Sequence, residues 1–152
     1  MADALSQQLD RFPVTLELPV QWGDQDASGH VNPAVLFLWF ESSRAVCLQQ
    51  CGLSGLMQRA SISPIVASVS CEYHDRLTYP DEVVVAAYAG RIGRSSVTIV
   101  HQVFSRSLRR IAVEGESVVV MYDFHANRPV RMPADVQAAL EQLAMVDKRH
   151  RG

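Results

Sequence analysis

An α+β fold, in which an antiparallel sheet curls around one long helix, is predicted by three features of the chain. Residues 33–51 follow a helical pattern that opens with the apolar run AVLFLWF. Strand-like runs follow it, and the short turns between them make neighbouring strands antiparallel. The 152 residues are enough for one domain with a sizeable core, which we place at about residues 13–147.

The first strand is predicted over residues 14–22, where Pro19 indicates an irregular or edge strand. A turn over residues 24–29 leads to the helix. Asn32 suits the N-cap, and Pro33 suits the first helical position, where a missing N–H matters least.

The long helix is predicted to run from residue 33 to residue 51, with Gly52 as its stop signal. Its length is roughly 28 Å at 1.5 Å per residue. Residues 34–40 are apolar all round, whereas a surface helix would show a polar face. We therefore expect this half of the helix to be enclosed on most sides.

The remaining elements are a connecting segment, further strands and a second helix. The connection spans residues 53–63, and the helix spans residues 134–145, with contacts expected from Ala138, Leu140 and Leu143. The strands are predicted at residues 65–74, 82–91, 95–105 and 109–122. A curled sheet leaves an edge strand and an exposed outer face, and edge-to-edge dimerisation would cover the edge.

Composition excludes several classes of function. Hydrophobic residues make up 48% and charged residues 20% of the chain, as in ordinary globular proteins, and the net charge of -2 offers no field for nucleic acid or acidic membranes. The basic residues 148–151 are expected to be a frayed tail. The three cysteines, Cys47, Cys51 and Cys71, imply no disulfide framework and are expected to be buried apolar residues. No signal peptide or membrane-spanning run is apparent, so a soluble cytoplasmic protein is expected.

The motif WGDQDASGHVN at residues 22–32 is the most concentrated feature of the sequence. It is followed by FESSR at residues 40–44 and CGL at residues 51–53. Further along the chain are PIV at residues 64–66, YPDEV at residues 79–83, GRSS at residues 93–96, and the pairs Arg128-Pro129 and Met132-Pro133. Together, these segments resemble the 4-hydroxybenzoyl-CoA thioesterase-like branch of the hotdog-fold proteins. The resemblance covers about residues 13–140 and implies a hotdog fold.

The resemblance implies hydrolysis of acyl-CoA thioesters, with the catalytic carboxylate at Asp26. A carboxylate beside a helix start could attack a thioester carbonyl or deprotonate a water that does. Backbone N–H groups at that helix start would face the developing oxyanion, and Gly29 would allow close backbone approach. No metal or other cofactor is expected, and the protein is expected to act on acyl-CoA as a homodimer or homotetramer.

Pro33 departs from the family pattern, which often has a second asparagine at that position. Proline carries no N–H and therefore cannot donate to an oxyanion. Val31, Asn32 or Ala34 would have to supply the donor instead. Related proteins often bind the CoA phosphates or pantetheine near one hairpin of a neighbouring subunit. The corresponding residues here are Arg91, Arg94, Ser95 and Ser96, and the alternative is an ordinary solvated hairpin.

Each site residue also has a structural interpretation. Asp26 could simply cap a turn, as Asp24 is expected to do, and His30 could either polarise the thioester or serve a structural role. Glu41 could be a second catalytic carboxylate, or it could form a surface pair with Arg44 three residues later.

Two other functions remain open at this point. A hydratase or dehydratase acting on acyl-CoA or acyl-carrier protein would use a histidine and a carboxylate, for which His30 and Glu41 are candidates. A non-catalytic acyl-CoA binding protein would be consistent with Pro33. The intact Asp26-to-Asn32 pattern favours the thioesterase.

Overall fold

One antiparallel sheet takes up most of this computed structural model, which describes residues 4–53 and 61–145. Its strand order is β1-β3-β4-β5-β2, with the short β6 beside β5, and every pairing is antiparallel as predicted. The strands are β1 (Val14–Pro19), β2 (Ile62–Tyr73), β3 (Glu82–Ile92), β4 (Ser96–Ser105), β5 (Arg110–Asp123) and β6 (Arg128–Pro129).

Strand ends differ from the prediction where the backbone changes conformation. β1 lies at an edge of the sheet and ends at Pro19, and residues 22–24 form a 3-10 turn instead of continuing the strand. β5 begins at Arg110 because Arg109 has a φ of 57°, which is left-handed and incompatible with a strand. β2 begins earlier than predicted because Ile62 already pairs with Asp123.

The long helix, α2 (Pro33–Gln50), begins where the sequence predicts and ends one residue earlier, with Cys51 as its C-cap. The Asn32 side chain accepts a hydrogen bond from the Ala34 N–H at 3.0 Å, and Pro33 occupies the first helical position. Gly52 follows the helix with a φ of 82°, the left-handed conformation that glycine adopts without a steric penalty.

The prediction that α2 is enclosed on most sides is wrong. Its buried residues recur at helical spacing and contact the concave face of the sheet: Leu36, Trp39, Phe40, Ser43 and Cys47. The opposite face points away from the chain, with Phe37 39% and Leu38 59% exposed. The sheet covers one side of the helix only, so an all-apolar stretch leaves large side chains in solvent.

The convex face of the sheet is partly covered, which the sequence did not indicate. The short helix α1 (Ala4–Leu9) and Phe12 pack on Val84, Ala86 and Phe104. Successive strand residues point to opposite faces, so these residues point away from α2. The expectation of an exposed outer face is therefore wrong for this part of the sheet.

The second predicted helix is α3 (Ala134–Glu141), which is shorter than predicted. It closes the far end of the concave face. Leu140 and Leu143 are buried as expected, whereas Ala138 is exposed. Val136 takes its place in the core because it lies one helical turn before Leu140.

Two predicted segments, most of the 53–63 connection and the 148–151 tail, lie outside the described residues. Within the described residues, no helix is long and apolar enough to cross a membrane.

Candidate active site

The motif loop, residues 22–32, is fixed at the end of the sheet by backbone hydrogen bonds. The Val31 N–H donates to the Leu77 carbonyl at 2.8 Å, and the Asn32 N–H donates to the Asp24 carbonyl at 2.9 Å. The Tyr79 N–H donates to the Gln25 side chain at 3.0 Å. The loop is therefore held against the segment that leads into β3, and its position relative to α2 is fixed.

Asp26 lies at the exposed tip of this loop as a well-ordered carboxylate. Its Oδ1 accepts hydrogen bonds from the Ser28 hydroxyl at 2.6 Å, the Ser28 N–H at 2.9 Å and the His30 N–H at 3.3 Å. The Ser28 hydroxyl, followed by the His30 backbone, lowers the pKa of the Asp26 carboxyl below its ordinary value. Asp26 is therefore charged at neutral pH, and Oδ2 accepts none of these three bonds.

An open cleft of about 410 Å³ lies beside Asp26. The motif loop and helix start contribute Asp26, Ser28, His30, Val31 and Pro33, and residues near the end of β2 contribute Tyr73 and Arg76. The Tyr73 hydroxyl donates to the Val31 carbonyl at 3.2 Å and so ties the two walls together. A charged carboxylate thus borders a cavity that is large enough for a small acyl group.

His30 shares the cleft with Asp26, and its hydrogen bonding indicates its tautomer. Ser28 Oγ lies 3.3 Å from His30 Nδ1 and donates its own proton to Asp26. A hydrogen bond between Ser28 and His30 therefore requires a proton on Nδ1, which donates to Ser28 Oγ. His30 faces Asp26 through Ser28 and makes no direct side-chain contact with it.

The backbone amides at the start of α2 already have acceptors. The Val31 and Asn32 N–H groups donate to backbone carbonyls, and Ala34 donates to the Asn32 side chain. Pro33 has no N–H. Oxyanion donation by Val31, Asn32 or Ala34 would therefore require one of them to give up an existing hydrogen bond.

Gly29 allows the backbone conformation of the turn, rather than the close backbone approach that was expected. Its φ is 80°, which strains other residues, and a Cβ placed there would meet nothing within 4 Å. Its N–H donates to the Asp26 carbonyl at 3.0 Å, which closes the turn that presents the carboxylate.

Glu41 lies on the exposed face of α2 and is not among the residues that line the cleft. The predicted pair with Arg44 is wrong, because no ion pair between them is found in the described chain. Arg44 turns inward, and its Nη1 donates to Ser117 Oγ at 3.0 Å.

A buried serine–histidine cluster (Ser43, His101 and Ser117) lies under the middle of α2. His101 Nδ1 is 2.8 Å from Ser43 Oγ, and His101 Nε2 is 2.8 Å from Ser117 Oγ. Ser43 donates to the Phe40 carbonyl, so His101 donates from Nδ1 and accepts from Ser117 at Nε2. Burial, with a smaller effect of the Arg44 charge, lowers the pKa of His101 to about 3, so the ring is neutral.

This cluster was not predicted from the sequence. The signal was present in β4, where Val97, Ile99, His101 and Val103 alternate as buried inward positions. The aromatic ring of Phe40 stacks on His101 with centroids 4.5 Å apart, while Gly115 leaves room on the sheet for Phe40. Trp39 and Phe40 are therefore core residues, whereas Phe37 is exposed.

The predicted CoA-binding residues lie far from Asp26 within one chain. β1 and β3 pair so that Pro19, which precedes the motif loop, lies opposite Glu82. Arg91 is nine residues further along β3, roughly 30 Å away at 3.3 Å per residue. Arg94, Ser95 and Ser96 are on the same distant hairpin, so one chain does not bring them to the Asp26 cleft.

Two of the three cysteines are buried as predicted. Cys47 and Cys51 are buried and Cys71 is half-buried, and all three are free thiols. Burial raises the pKa of Cys47 to about 12, which makes that thiol unreactive. In the described part of the chain, no group of three or more His, Cys, Asp or Glu residues is arranged to hold a metal ion.

Comparisons with known proteins agree with this architecture. A proposed thioesterase from Pseudomonas aeruginosa is 31% identical, with a TM-score of 0.71 over 82% of this chain and 95% of that one. A thioesterase from Thermus thermophilus, solved with coenzyme A and Zn, is 28% identical, with a TM-score of 0.73 over 85% and 98% of the two chains. No curated protein matched the chain.

A more distant structure supports the fold alone. The 1,4-dihydroxy-2-naphthoyl-CoA thioesterase from Synechocystis is 13% identical, with a TM-score of 0.74 over 85% of this chain and 96% of that one. The model of the thioesterase-like superfamily matches residues 20–140, which include the motif loop, α2 and the whole sheet after β1. The chain therefore belongs to the thioesterase-like superfamily, with the hotdog fold and the thioester-hydrolase class that its sequence predicts.

Proposed function

We propose that the protein hydrolyses an acyl-CoA thioester and that Asp26 is the residue that starts the reaction. The observation that carries this proposal is the geometry of Asp26. Its Oδ1 is held by three donors, its charge is stabilised, and it borders a cleft at the start of α2. A fixed charged carboxylate that retains a free lone pair suits attack on a carbonyl or removal of a proton from water.

The proposed reaction needs few other groups. Either Asp26 Oδ2 attacks the thioester carbonyl carbon, or Asp26 takes a proton from a water that attacks it. The carbonyl oxygen gains negative charge, the C–S bond breaks and CoA leaves as a thiolate. In the first route, water then hydrolyses the acyl–Asp26 anhydride to the carboxylic acid and regenerates the carboxylate. In the second route, the acid forms directly and Asp26 passes its proton to the thiolate or to solvent. A thiolate is a weak base, so its departure does not require a strong general acid. His30 lies behind Ser28, with its Nδ1 3.3 Å from the hydroxyl that donates to Asp26.

We also propose that the active unit is a homodimer or homotetramer in which a neighbouring subunit binds CoA. Phe37 and Leu38 expose apolar surface on α2, and Val66 is exposed on the twelve-residue edge strand β2. A second copy would cover both. Because Arg94 is far from Asp26 in its own chain, the hairpin would serve the cleft of a neighbouring subunit.

The hydratase alternative is less well supported by the geometry. A hydratase would use His30 together with Glu41, yet His30 lines the cleft and Glu41 does not. The carboxylate that lines the cleft with His30 is that of Asp26, which suits hydrolysis.

A panel of aromatic and aliphatic acyl-CoA thioesters tests the proposal through two parallel readouts. We expect release of free thiol from at least one thioester and no loss of enoyl absorbance from enoyl-CoA. Loss of enoyl absorbance without thiol would favour the hydratase. A higher melting temperature with acyl-CoA, but no thiol after long incubation, would favour a binding protein.

A further inference from the structure

The cleft has a carboxylate to start hydrolysis, but the backbone amides at the start of α2 are not free to receive the oxyanion. Proline at the first helical position removes one N–H, and the amides of Val31, Asn32 and Ala34 donate within the chain. A thioesterase that uses this cleft needs another donor near the carbonyl oxygen, because oxyanion stabilisation is usually the largest electrostatic contribution to acyl transfer.

The side chains in the cleft leave one candidate. The Tyr73 hydroxyl donates to the Val31 carbonyl, and the Ser28 hydroxyl donates to Asp26. His30 directs Nδ1 towards Ser28 Oγ, 3.3 Å away, on the far side of Ser28 from Asp26. Arg76 is the remaining donor, and its guanidinium carries several N–H groups together with a permanent charge.

Arg76 is presented by a rigid piece of backbone. Its neighbour Asp75 is held by two hydrogen bonds from Arg110, at 2.6 and 2.7 Å. Its other neighbour, Leu77, is buried, and its carbonyl accepts the Val31 N–H at 2.8 Å. The residues on both sides therefore fix where the Arg76 side chain leaves the backbone beside the cleft.

The guanidinium of Arg76 is also available. Across residues 4–53 and 61–145, the ion pairs are His74–Glu114, Arg106–Glu17 and Arg110–Asp75, and none of them includes Arg76. Asp26 lines the same cleft but does not lie within ion-pair distance of Arg76. The cleft thus has a negative group and a positive group that do not neutralise each other, an arrangement that suits a polar bond placed between them.

We propose that Arg76 donates a hydrogen bond to the thioester carbonyl oxygen as it becomes an oxyanion, in place of the amide that Pro33 removes. This inference rests on the proposed hydrolysis. As the attacking oxygen bonds to the carbonyl carbon, the C=O π electrons move to the oxygen that faces Arg76. They return when the C–S bond breaks and the thiolate leaves, while Arg76 keeps its proton throughout.

Replacement of Arg76 tests the inference directly. Arg76→Gln should lower kcat by about 100- to 1,000-fold, as removal of one oxyanion donor does elsewhere, with little change in KM. Arg76→Lys should retain part of the activity, and added guanidinium at low concentration should partly rescue Arg76→Ala. Arg128→Gln, an exposed arginine on β6, is the matched control and should retain wild-type kcat.

A double mutant separates this role from simple electrostatic attraction of CoA. Pro33→Ala restores an N–H at the first helical position, so it should raise kcat by a larger factor in the Arg76→Gln background than in the wild type. Unchanged kcat in Arg76→Gln, or a rise in KM alone, would overturn the inference and leave the proposed function standing if Asp26→Asn is inactive. A wild type that releases no thiol from any thioester would overturn both.

Discussion

The two serine–histidine arrangements along α2 use the same residue types for opposite purposes. At the helix start, Ser28 lies between Asp26 and His30 in an exposed cleft. Under the middle of the helix, His101 lies between Ser43 and Ser117 with no exposed surface. The exposed set contains a negative charge and an open side, whereas the buried set is neutral and fully hydrogen-bonded.

This difference shows that environment, rather than residue type, separates the candidate active site from structural polar groups. Burial of His101 favours its neutral form and requires a partner for each ring nitrogen. Asp26 remains in solvent, where hydrogen bonds stabilise its charge and still leave an oxygen free. Substitutions in the buried serine–histidine cluster should therefore affect stability, and substitutions in the motif loop should affect turnover.

His101→Leu should have the largest effect on stability. It removes one of the two hydrogen-bond partners of both the Ser43 and the Ser117 hydroxyl and places a branched side chain where the ring stacks on Phe40, at a cost of about 3 kcal/mol. That loss corresponds to a melting temperature lower by roughly 6–12 °C, measurable by calorimetry. Thiol release per folded molecule should stay near the wild-type value. A His101→Leu protein that is stable but inactive would contradict the assignment of the buried serine–histidine cluster to stability and of the motif loop to turnover.

The free energy of unfolding should depend on pH through the titration of His101. His101 has a folded pKa of about 3, below its unfolded value of about 6.5, so the unfolded chain binds the extra proton between these values. Wild-type stability should therefore fall as the pH drops from 6.5 towards 3. His101→Leu lacks this contribution, so the stability difference between the two proteins should shrink in acid, as urea unfolding at pH 7 and pH 4.5 would detect. A constant difference would mean that His101 is not buried as a neutral ring.

A smaller effect is expected on the distant hairpin. Arg94→Gln should raise KM for acyl-CoA by about tenfold, the loss of one charge-assisted phosphate contact, with kcat unchanged. In mixed oligomers of Asp26→Asn and Arg94→Gln chains, activity at low substrate should exceed the sum of the two separate proteins, because one cleft would regain both residues. Activity that never exceeds that sum would place CoA elsewhere.

The smallest effect is expected at Glu41. It lies on the exposed face of α2, outside the cleft and without an ion pair in the described chain, so Glu41→Gln should change kcat less than twofold. Steady-state thiol release is the measurement. A loss of more than about tenfold would restore Glu41 as a second catalytic carboxylate.

Local signals were enough to predict most of the fold. Asn32, Pro33 and Gly52 mark the ends of α2 because capping and turn conformations depend on a few neighbouring atoms. The alternating strands and short turns predicted the antiparallel sheet. Burial of α2 was mispredicted because apolar composition does not tell which side the sheet covers, and α1 was missed because its contacts with Val84 and Phe104 are distant in sequence.

The site was predicted less completely for a similar reason. Asp26, His30 and Val31 are close in sequence, and one motif brought all three to the same cleft. Tyr73 is the last residue of β2 and Arg76 follows it, and both line the same cleft. No sequence pattern links residue 26 to residue 76. The inward turn of Arg44 depends on Ser117, which is 73 residues away in the chain.

The most direct test of the account is thiol release by Asp26→Asn, compared with Asp24→Asn at equal concentrations of folded protein. Asp24 caps the neighbouring turn by accepting the Gln21 N–H at 2.8 Å, so its variant controls for loop disturbance. We predict a fall in kcat of about 100- to 10,000-fold for Asp26→Asn and near wild-type activity for Asp24→Asn. Wild-type turnover by Asp26→Asn, or an equal loss in both variants, would contradict the central role of the Asp26 carboxylate.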